Sequence, residues 1–395
     1  MEVIRLEINI ERLQRDIEDL GKIGFEENIG VTRLAYSTEY DKGVDLVKKL
    51  MESAGMKTCI DPVGNLIGRL EGEGDKAISI GSHIDSVPAG GIYDGTLGVL
   101  AGIECIRVFQ DNGYKNHCPI EVIAFIEEEG NVIGGTFGSK CFTGTPIEDS
   151  SIPKMKQHGL DMNSVNQSRR DSEKYKCYLE LHIEQGGILD NSKTSIGVVN
   201  GIVGITRYKA TVKGMANHAG STPMNLRDDA LTKTCKMITR LMEIAHLKDE
   251  EITCTVGQMT VLPGAVNVIP GEVEFVIELR GKSIAANEEI IEQFNEEFKN
   301  QGMFLKNILS QKETVLDEKI INVVQNCCEK MNISYREMYS GAGHDAINMA
   351  LFTPSAMIFI PSIGGISHSI VEKSSSKDIA TGCQLLLNTI IELDK

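Results

Sequence analysis

Short apolar runs alternate with amphipathic segments over the first half of the chain. Residues 76–83 (KAISIGSH) and 119–130 (PIEVIAFIEEEG) are typical of buried strands, and the second runs into three consecutive glutamates. Residues 96–113, between these two strands, have the pattern of a helix and end on a glycine. Residues 43–56 predict an earlier helix, and residues 57–72 predict a pair of strands. This alternation predicts a parallel or mixed sheet covered by helices.

A different pattern begins near residue 205. Residues 204–220 alternate like an exposed antiparallel strand, and the following segments predict the order β-α-β-β-α-β, which is a compact α+β unit. After about residue 314 the first pattern returns, with a helix, a strand and a last helix from about Lys377. We therefore predict an α/β domain in two parts, residues 1–204 and 315–395, interrupted by an inserted α+β domain, residues 205–314.

Composition narrows the possible functions. The chain has 395 residues and a formal net charge of -16, which argues against a nucleic-acid partner and against an anionic membrane surface. It has no apolar run of about 18 residues, the length that a membrane span needs. Residues 1–20 predict an amphipathic helix without the apolar centre of a signal peptide. Ten scattered cysteines without a CxxC spacing predict reduced thiols and a cytoplasmic location.

Histidine and acidic residues follow several of the predicted strands. These residues come from four regions of the chain: His83, Asp94, Glu129, His182 and His368. Ligands of open α/β sheets bind at the carboxyl ends of the strands. Each residue also has a simpler explanation, because an Asp before a helix can be an N-cap, three glutamates can form a solvated loop, and a histidine in a strand can be a core residue.

The chemistry of these side chains suits a divalent metal ion. Histidine together with carboxylates favours zinc, and manganese or cobalt are also possible. A carboxylate shared between two such groups would create a two-metal site that activates water and polarises a carbonyl group. Sequence spacing does not establish that the four regions meet.

Seven motifs in this order resemble the M20 metallopeptidase superfamily, and more narrowly its amidase, hydantoinase and carbamoylase branch. The resemblance covers nearly the whole chain, from about residue 30 to the last helix. The motifs are GSHIDSVPAGGIYDG (81–95), EEEGNVIGGTFGS (127–139), LHIEQG (181–186), NHAGSTPMNLRDDA (217–230), NVIPGEVEFVIELRG (267–281), SGAGHDA (340–346) and GGISHS (364–369).

The resemblance implies an α/β fold in which a mixed sheet with flanking helices forms a di-metal catalytic domain. Two divalent ions per subunit, zinc or manganese with cobalt possible, would be held by His83, Asp94, Glu129, His182 and His368. Asp94 would bridge the ions, and Glu128 would be the general base. Asp85 would orient His83. His182 discriminates between branches, because the peptidase branches tend to have a carboxylate there.

The inserted α+β domain would be a lid and dimerisation domain of a homodimer. His218 would polarise the scissile carbonyl in the neighbouring subunit, and Asn267 and Arg280 would bind the substrate carboxylate. Gln185 and His344 would be further substrate contacts. His218 has an alternative interpretation as a turn residue, and Arg280 has one as a surface charge.

The implied reaction is metal-dependent hydrolysis of an N-carbamoyl-L-amino acid. Allantoate amidohydrolase is the nearest alternative, because allantoate also has a ureido group and a carboxylate. A β-ureidopropionase and an aminoacylase or dipeptidase are further alternatives, and a non-catalytic small-molecule sensor is an alternative of another class. The chain departs from the family pattern at Ser86, Glu278, Ser369 and Ile370, none of which is an implied metal ligand.

Overall fold

The structure is a computed structural model that describes residues 6–395. Its α-helices are α1 (Ile10–Gly21), α2 (Thr38–Ser53), α3 (Thr96–Asn112), α4 (Phe137–Thr143), α5 (Ile152–Gln157), α6 (Met162–Ser168), α7 (Ile188–Ser192), α8 (Ala230–Lys248), α9 (Ile284–Phe298), α10 (Glu318–Met331), α11 (Ala346–Phe352) and α12 (Ser376–Leu393).

Its strands are β1 (Phe25–Glu26), β2 (Gly30–Val31), β3 (Lys57–Ile60), β4 (Leu66–Leu70), β5 (Ala77–His83), β6 (Ile120–Phe125), β7 (Tyr175–Ile183), β8 (Ile196–Ile202), β9 (Gly204–Lys213), β10 (Thr253–Leu262), β11 (Glu272–Gly281), β12 (Met303–Gln311), β13 (Thr314–Val315), β14 (Tyr335–Ser340) and β15 (Ser355–Ile360).

The first helix is shorter than the sequence predicts. Residues 1–5 of the expected helix lie outside the described residues, and the helix begins only at Ile10. Asn9 caps it by accepting a 3.0 Å hydrogen bond from the main-chain N–H of Arg12. The main-chain N–H groups of Ile8 and Asn9 are instead bound by the side chains of Gln384 and Glu104. Such long-range contacts hold the preceding residues out of the helix.

The chain divides into two compact units, one with residues up to 200 and from 315 onwards, the other with residues 201–314. The first unit contains a nine-stranded sheet whose main path has the order β13-β8-β15-β7-β5-β6-β4-β3, with β14 paired to β8. The central pairs β15–β7, β7–β5 and β5–β6 are parallel, whereas β6–β4, β4–β3 and β15–β8 are antiparallel. The mixed sheet agrees with the predicted fold class.

The parallel strands form the core of the first unit. Every residue of β5, β6 and β15 is buried, as expected for strands with helices on both faces. Strand register aligns their carboxyl ends, because His83 pairs with Phe125 and His182 pairs with Phe359. The loops that leave these strands therefore start at the same edge of the sheet.

The second unit has one antiparallel sheet with the order β10-β11-β9-β12 and two helices, α8 and α9. Its element order is the β-α-β-β-α-β order that the sequence predicts. One face of β11 contributes buried apolar side chains to a core with the two helices, including Phe275, Ile277 and Leu279. The other face carries Glu272, Glu274, Glu278 and Arg280, so alternation along the strand separates the core from solvent.

Two whole-chain features complete the description. All ten cysteines are free thiols. Between residues 6 and 395, no helix combines the length and the apolar character that crossing a membrane requires.

Candidate active site

The candidate site lies where loops leave the carboxyl ends of the parallel strands. His83 is the last residue of β5, and His182 is the eighth residue of β7. Asp94 lies in the loop between β5 and α3, and Glu128 and Glu129 follow β6. The side chains of His83, Asp94 and His182 are buried, and those of Glu128 and Glu129 are only slightly more accessible. The structure thus brings together distant parts of the chain.

The carboxylate of Asp94 is at the centre of the site. Its Oδ1 lies 3.6 Å from Nε2 of His83 and 3.1 Å from Nε2 of His182. Its Oδ2 lies 3.0 Å from Nε2 of His368. The alternative interpretation of Asp94 as a helix cap is not what the structure shows, because Gly95 occupies the N-cap of α3 and no side chain caps that end.

Gly95 is required at this point of the loop. Its φ of 64° is in the left-handed region, and a Cβ atom on this residue would lie 2.4 Å from the imidazole ring of His83. A glycine relieves both the backbone strain and the collision. The main chain can therefore turn sharply beside His83 and present the Asp94 carboxylate to the histidines.

The two buried histidines present the same ring nitrogen to Asp94. Nδ1 of His83 donates to the main-chain carbonyl of Asp85 at 3.0 Å, and Nδ1 of His182 donates to that of Ile183 at 2.8 Å. In the neutral ring, Nε2 then carries a lone pair that faces the carboxylate of Asp94. A lone pair facing a carboxylate is favourable only with a cation or a proton between them, which is the arrangement of a metal ligand.

Glu127, Glu128 and Glu129 have different roles although they are adjacent. Glu127 has a φ of 60°, and its buried carboxylate accepts main-chain N–H groups of the loop at Val132 and Ile133. It therefore shapes the loop. Glu128 Oε2 lies 3.8 Å from Nε2 of His83, and Glu129 Oε2 lies 3.7 Å from Nε2 of His368. Only the second and third glutamates face the histidines.

Burial and neighbouring carboxylates raise the pKa values of Glu128 and Glu129, whereas the pKa of Asp94 is lowered. Burial, together with the carboxylates of Asp345 and Glu129, raises the pKa of Glu128 well above its usual value. Burial and the Asp94 carboxylate raise the pKa of Glu129 to about 7. The pKa of Asp94 moves down, because its hydrogen bonds to His182 and His368 outweigh the effect of burial.

The residues fit two divalent cations. One group of possible ligands is His83, Asp94 and His182, and a second is Asp94, Glu129 and His368; in each, the ligand atoms lie within 4.8 Å of one another. Asp94 belongs to both groups. Oε1 of Glu129 is buried and has no hydrogen-bond partner within residues 6–395. A buried carboxylate oxygen of this kind is costly unless a cation or a proton lies next to it.

Asp85 contacts the ring of His83 through its main chain. Its main-chain carbonyl, rather than its carboxylate, accepts the hydrogen bond from His83, and the carboxylate Oδ1 lies 3.7 Å from the same ring nitrogen. The carboxylate instead accepts the main-chain N–H groups of Glu128 at 3.4 Å and Glu129 at 3.2 Å. Asp85 therefore links the His83 loop to the glutamate loop.

Two supporting residues were not predicted from the sequence. Buried Glu372 accepts the main-chain N–H groups of Tyr93 and Asp94 at 2.9 and 3.2 Å and the hydroxyl of Ser367 at 2.7 Å. It therefore ties the Asp94 loop to the loop of His368. Its position four residues after His368 was the available signal, but an acid in a loop is usually solvated.

The second is Arg33, which is completely buried. Its guanidinium donates to the carbonyl of Ile84 at 2.6 Å and to those of Leu20 and Ile23 at 2.9 Å. Burial lowers the pKa of Arg33 to about 10, although Asp85 partly opposes this effect. The hydrogen bond from Arg33 to Ile84 therefore fixes the main chain between His83 and Asp85.

Gln185 and His344 both lie at the centre, close to the metal-ligand groups. Nε2 of Gln185 donates to Oδ2 of Asp94 at 2.7 Å. His344 is buried against His182, with 4.5 Å between ring centroids, and its Nε2 lies 2.8 Å from the hydroxyl of Ser340. Their predicted contact with substrate stays a prediction.

His218 lies in an exposed loop of the second unit. Its Nδ1 accepts the main-chain N–H groups of Gly220 and Ser221, both at 3.1 Å. These bonds organise the turn, as the alternative interpretation proposed. They also leave the proton of the neutral ring on Nε2, so this nitrogen is a hydrogen-bond donor.

Asn267 and Arg280 are far apart within the second unit. Asn267 precedes β11, and its carbonyl accepts the N–H of Ala219 at 2.9 Å, which places it beside His218. Arg280 lies near the other end of β11 and pairs with Glu278 at 2.8 Å. From Glu272 to Arg280 the strand extends roughly 27 Å at 3.4 Å per residue. A single chain therefore does not bring both side chains to one carboxylate.

The fold and the site define a class: an α/β protein whose parallel strand ends gather histidine and acidic residues suited to two metal ions. A family model described as Peptidase family M20/M25/M40 matches residues 79–392. An N-carbamoyl-L-amino acid amidohydrolase from Geobacillus stearothermophilus is 37% identical, with 97% of this chain and 98% of that protein covered. An allantoate amidohydrolase from Escherichia coli is 34% identical, with 95% of each covered.

Solved structures agree with the sequence matches. The structure of a hydantoinase/carbamoylase family amidase from Burkholderia multivorans superposes with a TM-score of 0.90 at 30% identity, with 98% of each chain covered. The chain belongs to the M20 family, and it is a hydrolytic enzyme that acts on linear amides. The family resemblance predicted from the seven motifs is therefore confirmed.

Proposed function

We propose that this enzyme hydrolyses the ureido C–N bond of an N-carbamoyl-L-amino acid and uses two divalent cations. His83, Asp94 and His182 would hold one cation, and Asp94, Glu129 and His368 would hold the other. Zinc or manganese suits these donors, and cobalt is also compatible. The observation that carries this proposal is the Asp94 carboxylate, whose two oxygens face separate histidine groups.

Cations at these positions would lower the pKa of water and polarise the substrate carbonyl. Glu128 would accept a proton from the attacking water and transfer it to the leaving nitrogen. The products would be the amino acid and carbamate, and the carbamate would break down to ammonia and carbon dioxide. The position of Glu128 supports this role, because its carboxylate lies 3.8 Å from Nε2 of His83, next to the first group of proposed ligands.

His218 would donate from Nε2 to the oxygen on which negative charge develops. The two main-chain N–H groups bound to its Nδ1 support this role, because they select the ring form in which Nε2 carries the proton. This arrangement combines both interpretations of His218: the same bonds that make it a turn residue prepare it to donate.

The substrate carboxylate would be bound by Arg280 and Asn267. Since these residues lie at opposite ends of β11, a single carboxylate would be held by Arg280 of one subunit and by Asn267 from a partner subunit. His218 lies beside Asn267 and would enter the same active site with it. The separation therefore supports a homodimer in which residues 205–314 form a lid and dimerisation domain.

Exposed apolar side chains around this loop support the same assembly. Met215 is 56% exposed, Met224 78%, Leu226 65% and Val266 completely exposed. All four lie in the segments around His218 and Asn267. Apolar side chains grouped on a surface are typical of a protein contact.

The first experiment measures ammonia release by protein that has been stripped of metal and reloaded with manganese, zinc or cobalt. The substrates are N-carbamoyl-L-alanine, N-carbamoyl-L-methionine, allantoate and N-carbamoyl-β-alanine, with N-acetyl-L-methionine followed by its free amine. We expect turnover of the two carbamoyl-α-amino acids to exceed that of the other substrates.

Each result leads to a different conclusion. Turnover of allantoate alone would contradict the proposed substrate and favour the second candidate, which the 34% identical allantoate amidohydrolase supports. Preference for N-carbamoyl-β-alanine would indicate a β-ureidopropionase. No turnover with any metal would favour a sensor that binds a small amino-acid derivative.

A mixed dimer tests the sharing of active sites. A Glu128→Ala subunit and a His218→Ala subunit are each expected to be inactive as homodimers. Their heterodimer is expected to recover part of the activity, because one of its two sites would contain both an intact Glu128 and an intact His218. A purified heterodimer without activity would contradict sharing.

A further inference from the structure

One cavity in the first unit is lined by none of the predicted metal ligands. Its volume is about 430 Å³, and its lining includes Thr143, Arg169, Arg170, Ser172 and Phe352. This volume is within the range of small-molecule sites. Its lining includes two adjacent arginines and two side-chain hydroxyl groups. None of these side chains belongs to the candidate active site.

Neither arginine has an acidic partner. In the part of the chain that the structure describes, Arg169 and Arg170 form no ion pair, whereas Arg12, Arg69 and Arg240 each pair with two carboxylates. This difference is notable because the chain has 56 acidic and only 40 basic residues. The cavity therefore has an uncompensated positive charge in a protein that is acidic overall.

One acid also lines the cavity, but it is used elsewhere. The carboxylate of Asp171 accepts the main-chain N–H of Glu173 at 3.1 Å and so caps the short turn that follows. With two guanidinium groups and one carboxylate, the charge of the lining remains positive.

The fold holds Arg170 in place from several sides. Its main-chain N–H donates to the carbonyl of Phe142 at 2.8 Å, and its guanidinium lies 5.8 Å from the centre of the Phe142 ring. Its Nη2 lies 3.9 Å from Sγ of Cys59. Its Nε is buried and has no hydrogen-bond partner among residues 6–395. A buried N–H donor of this kind is unfavourable unless an acceptor satisfies it.

Gly144 leaves room for the side chain of Arg169. Gly144 ends α4 with a φ of 78°, and a Cβ atom there would lie 2.5 Å from Nε of Arg169. Any other residue would displace the guanidinium from its position and would also strain the turn. The local backbone thus favours the placement of both arginines beside the same cavity.

We propose that this cavity binds a small oxyanion, with a phosphate group as the chemical class that fits it best. The planar guanidinium groups can each offer paired N–H donors to phosphate oxygens, and Ser172 adds a hydroxyl donor. The volume exceeds that of one inorganic ion, so the phosphate of a small organic molecule fits as well as free phosphate.

The cavity is separate from the candidate active site. Thr143 is the last residue of α4, and Phe352 is the last residue of α11. The opposite ends of these helices follow Glu128 and His344, and a seven-residue helix is about 10 Å long. Binding in the cavity can therefore be measured independently of turnover and of the proposed metal ions.

Sulfate is a suitable probe because it has the tetrahedral shape of phosphate and does not precipitate the candidate metal ions. Calorimetric titrations of metal-loaded and metal-stripped protein are carried out at constant ionic strength, maintained with chloride. We expect one sulfate to bind in both forms. Arg169→Gln is expected to weaken binding by about tenfold, as the loss of one charge-assisted contact predicts.

Arg15→Gln is the matched control, since it removes the same charge from an exposed position on α1. It is expected to leave sulfate affinity unchanged. The proposal would be overturned if the wild type and Arg169→Gln bound sulfate with equal affinity. It would also be overturned if sulfate binding disappeared when the metal was removed. The absence of sulfate binding would overturn it too. Glycerol phosphate and inorganic phosphate, titrated into metal-stripped protein, distinguish an organic phosphate from the free ion.

A local measurement avoids dependence on variants that fold poorly. Cys59 is exposed beside Arg170, and Cys235 is an exposed thiol in the second unit. Sulfate on Arg170 adds negative charge near the Cys59 thiolate and is expected to slow its alkylation by iodoacetamide. The alkylation rate of Cys235 is expected to stay constant. Equal effects of sulfate on the two thiols would contradict binding at this cavity.

Discussion

Acidic side chains have opposite surroundings on the sheet face of the second unit and at the candidate site of the first unit. On the open face of the second unit's sheet, Glu274 pairs with Lys209 at 2.7 Å, and Glu278 pairs with two arginines. These arginines lower the pKa of Glu278 although its partial burial opposes the shift. In the first unit, Glu128 and Glu129 have no lysine or arginine partner within the described chain, and their pKa values rise.

The difference shows which acids are available for a metal. An acid paired with Lys or Arg is already neutralised and contributes little beyond solubility and modest stability. Glu128 and Glu129 at the candidate site instead face histidines and other carboxylates, so only protons or added cations can compensate their charge. This contrast therefore identifies the candidate metal-binding residues more clearly than the number of acids does.

The largest expected effect is the loss of turnover in Glu128→Gln. The substitution keeps the shape of the side chain and removes the base, so kcat is expected to fall by about 10²- to 10⁴-fold while bound metal stays at the wild-type level. Ammonia release and metal analysis measure the two properties. Glu274→Gln, from the paired acids of the second unit, is the control and should keep full activity. Wild-type turnover in Glu128→Gln would contradict its role.

Glu372→Gln is expected to weaken metal binding by about 10- to 100-fold, the usual cost of losing a residue that orients metal ligands. The glutamate binds the main-chain N–H of Asp94 and the hydroxyl of Ser367. Titration with manganese measures the affinity, and circular dichroism checks the fold. Glu337→Gln, at an exposed position of β14, should bind metal normally. Unchanged affinity in Glu372→Gln would show that the Asp94 loop holds its position without it.

Metal binding is expected to release protons near pH 7. The hydrogen bond to Asp94 raises the pKa of His368 to about 8, although burial opposes the shift, and burial raises that of Glu129 to about 7. His368 is therefore protonated below pH 8 and must lose its proton to bind a cation. Metal affinity should rise with pH, by up to about tenfold per unit for each proton released.

Calorimetry in two buffers with different heats of ionisation measures this release. His246→Ala, which changes an exposed histidine of the second unit, should release as many protons as the wild type. Equal heats in the two buffers, or affinity that falls as the pH rises, would show that the site does not hold protons in place of metal ions.

The smallest effect is expected when an acid that forms an ion pair on the second unit's sheet is replaced. Glu274→Gln removes the ion pair with Lys209 at the surface, so the free energy of unfolding should decrease by less than about 1 kcal/mol. Urea unfolding at low and high salt measures it, and the difference from the wild type should diminish as salt increases. A larger loss would mean that this open face stabilises the unit more than surface ion pairs usually do.

Much of the first unit follows from the chain itself. The strands β5, β6 and β15 are short apolar runs, and α3 is a long helical pattern ending at Gly113, so local periodicity predicts them. The short helices α4, α5, α6, α7 and α11 were not predicted. Helices of five to seven residues contain too few turns for a periodic pattern, and neighbouring segments stabilise them.

The sequence by itself determined the types of residues available to the site and the strands that precede them. Only the tertiary structure decided which acids serve the site, because strand register and the fold of the loops set their positions. The carboxylate of Glu127 accepts main-chain N–H groups of its own loop. The carboxylate of Asp94 does not cap the helix that follows it and instead faces three histidines. The distance between Asn267 and Arg280 likewise depends on β11 being one extended strand, because pairing along its length keeps its two ends apart.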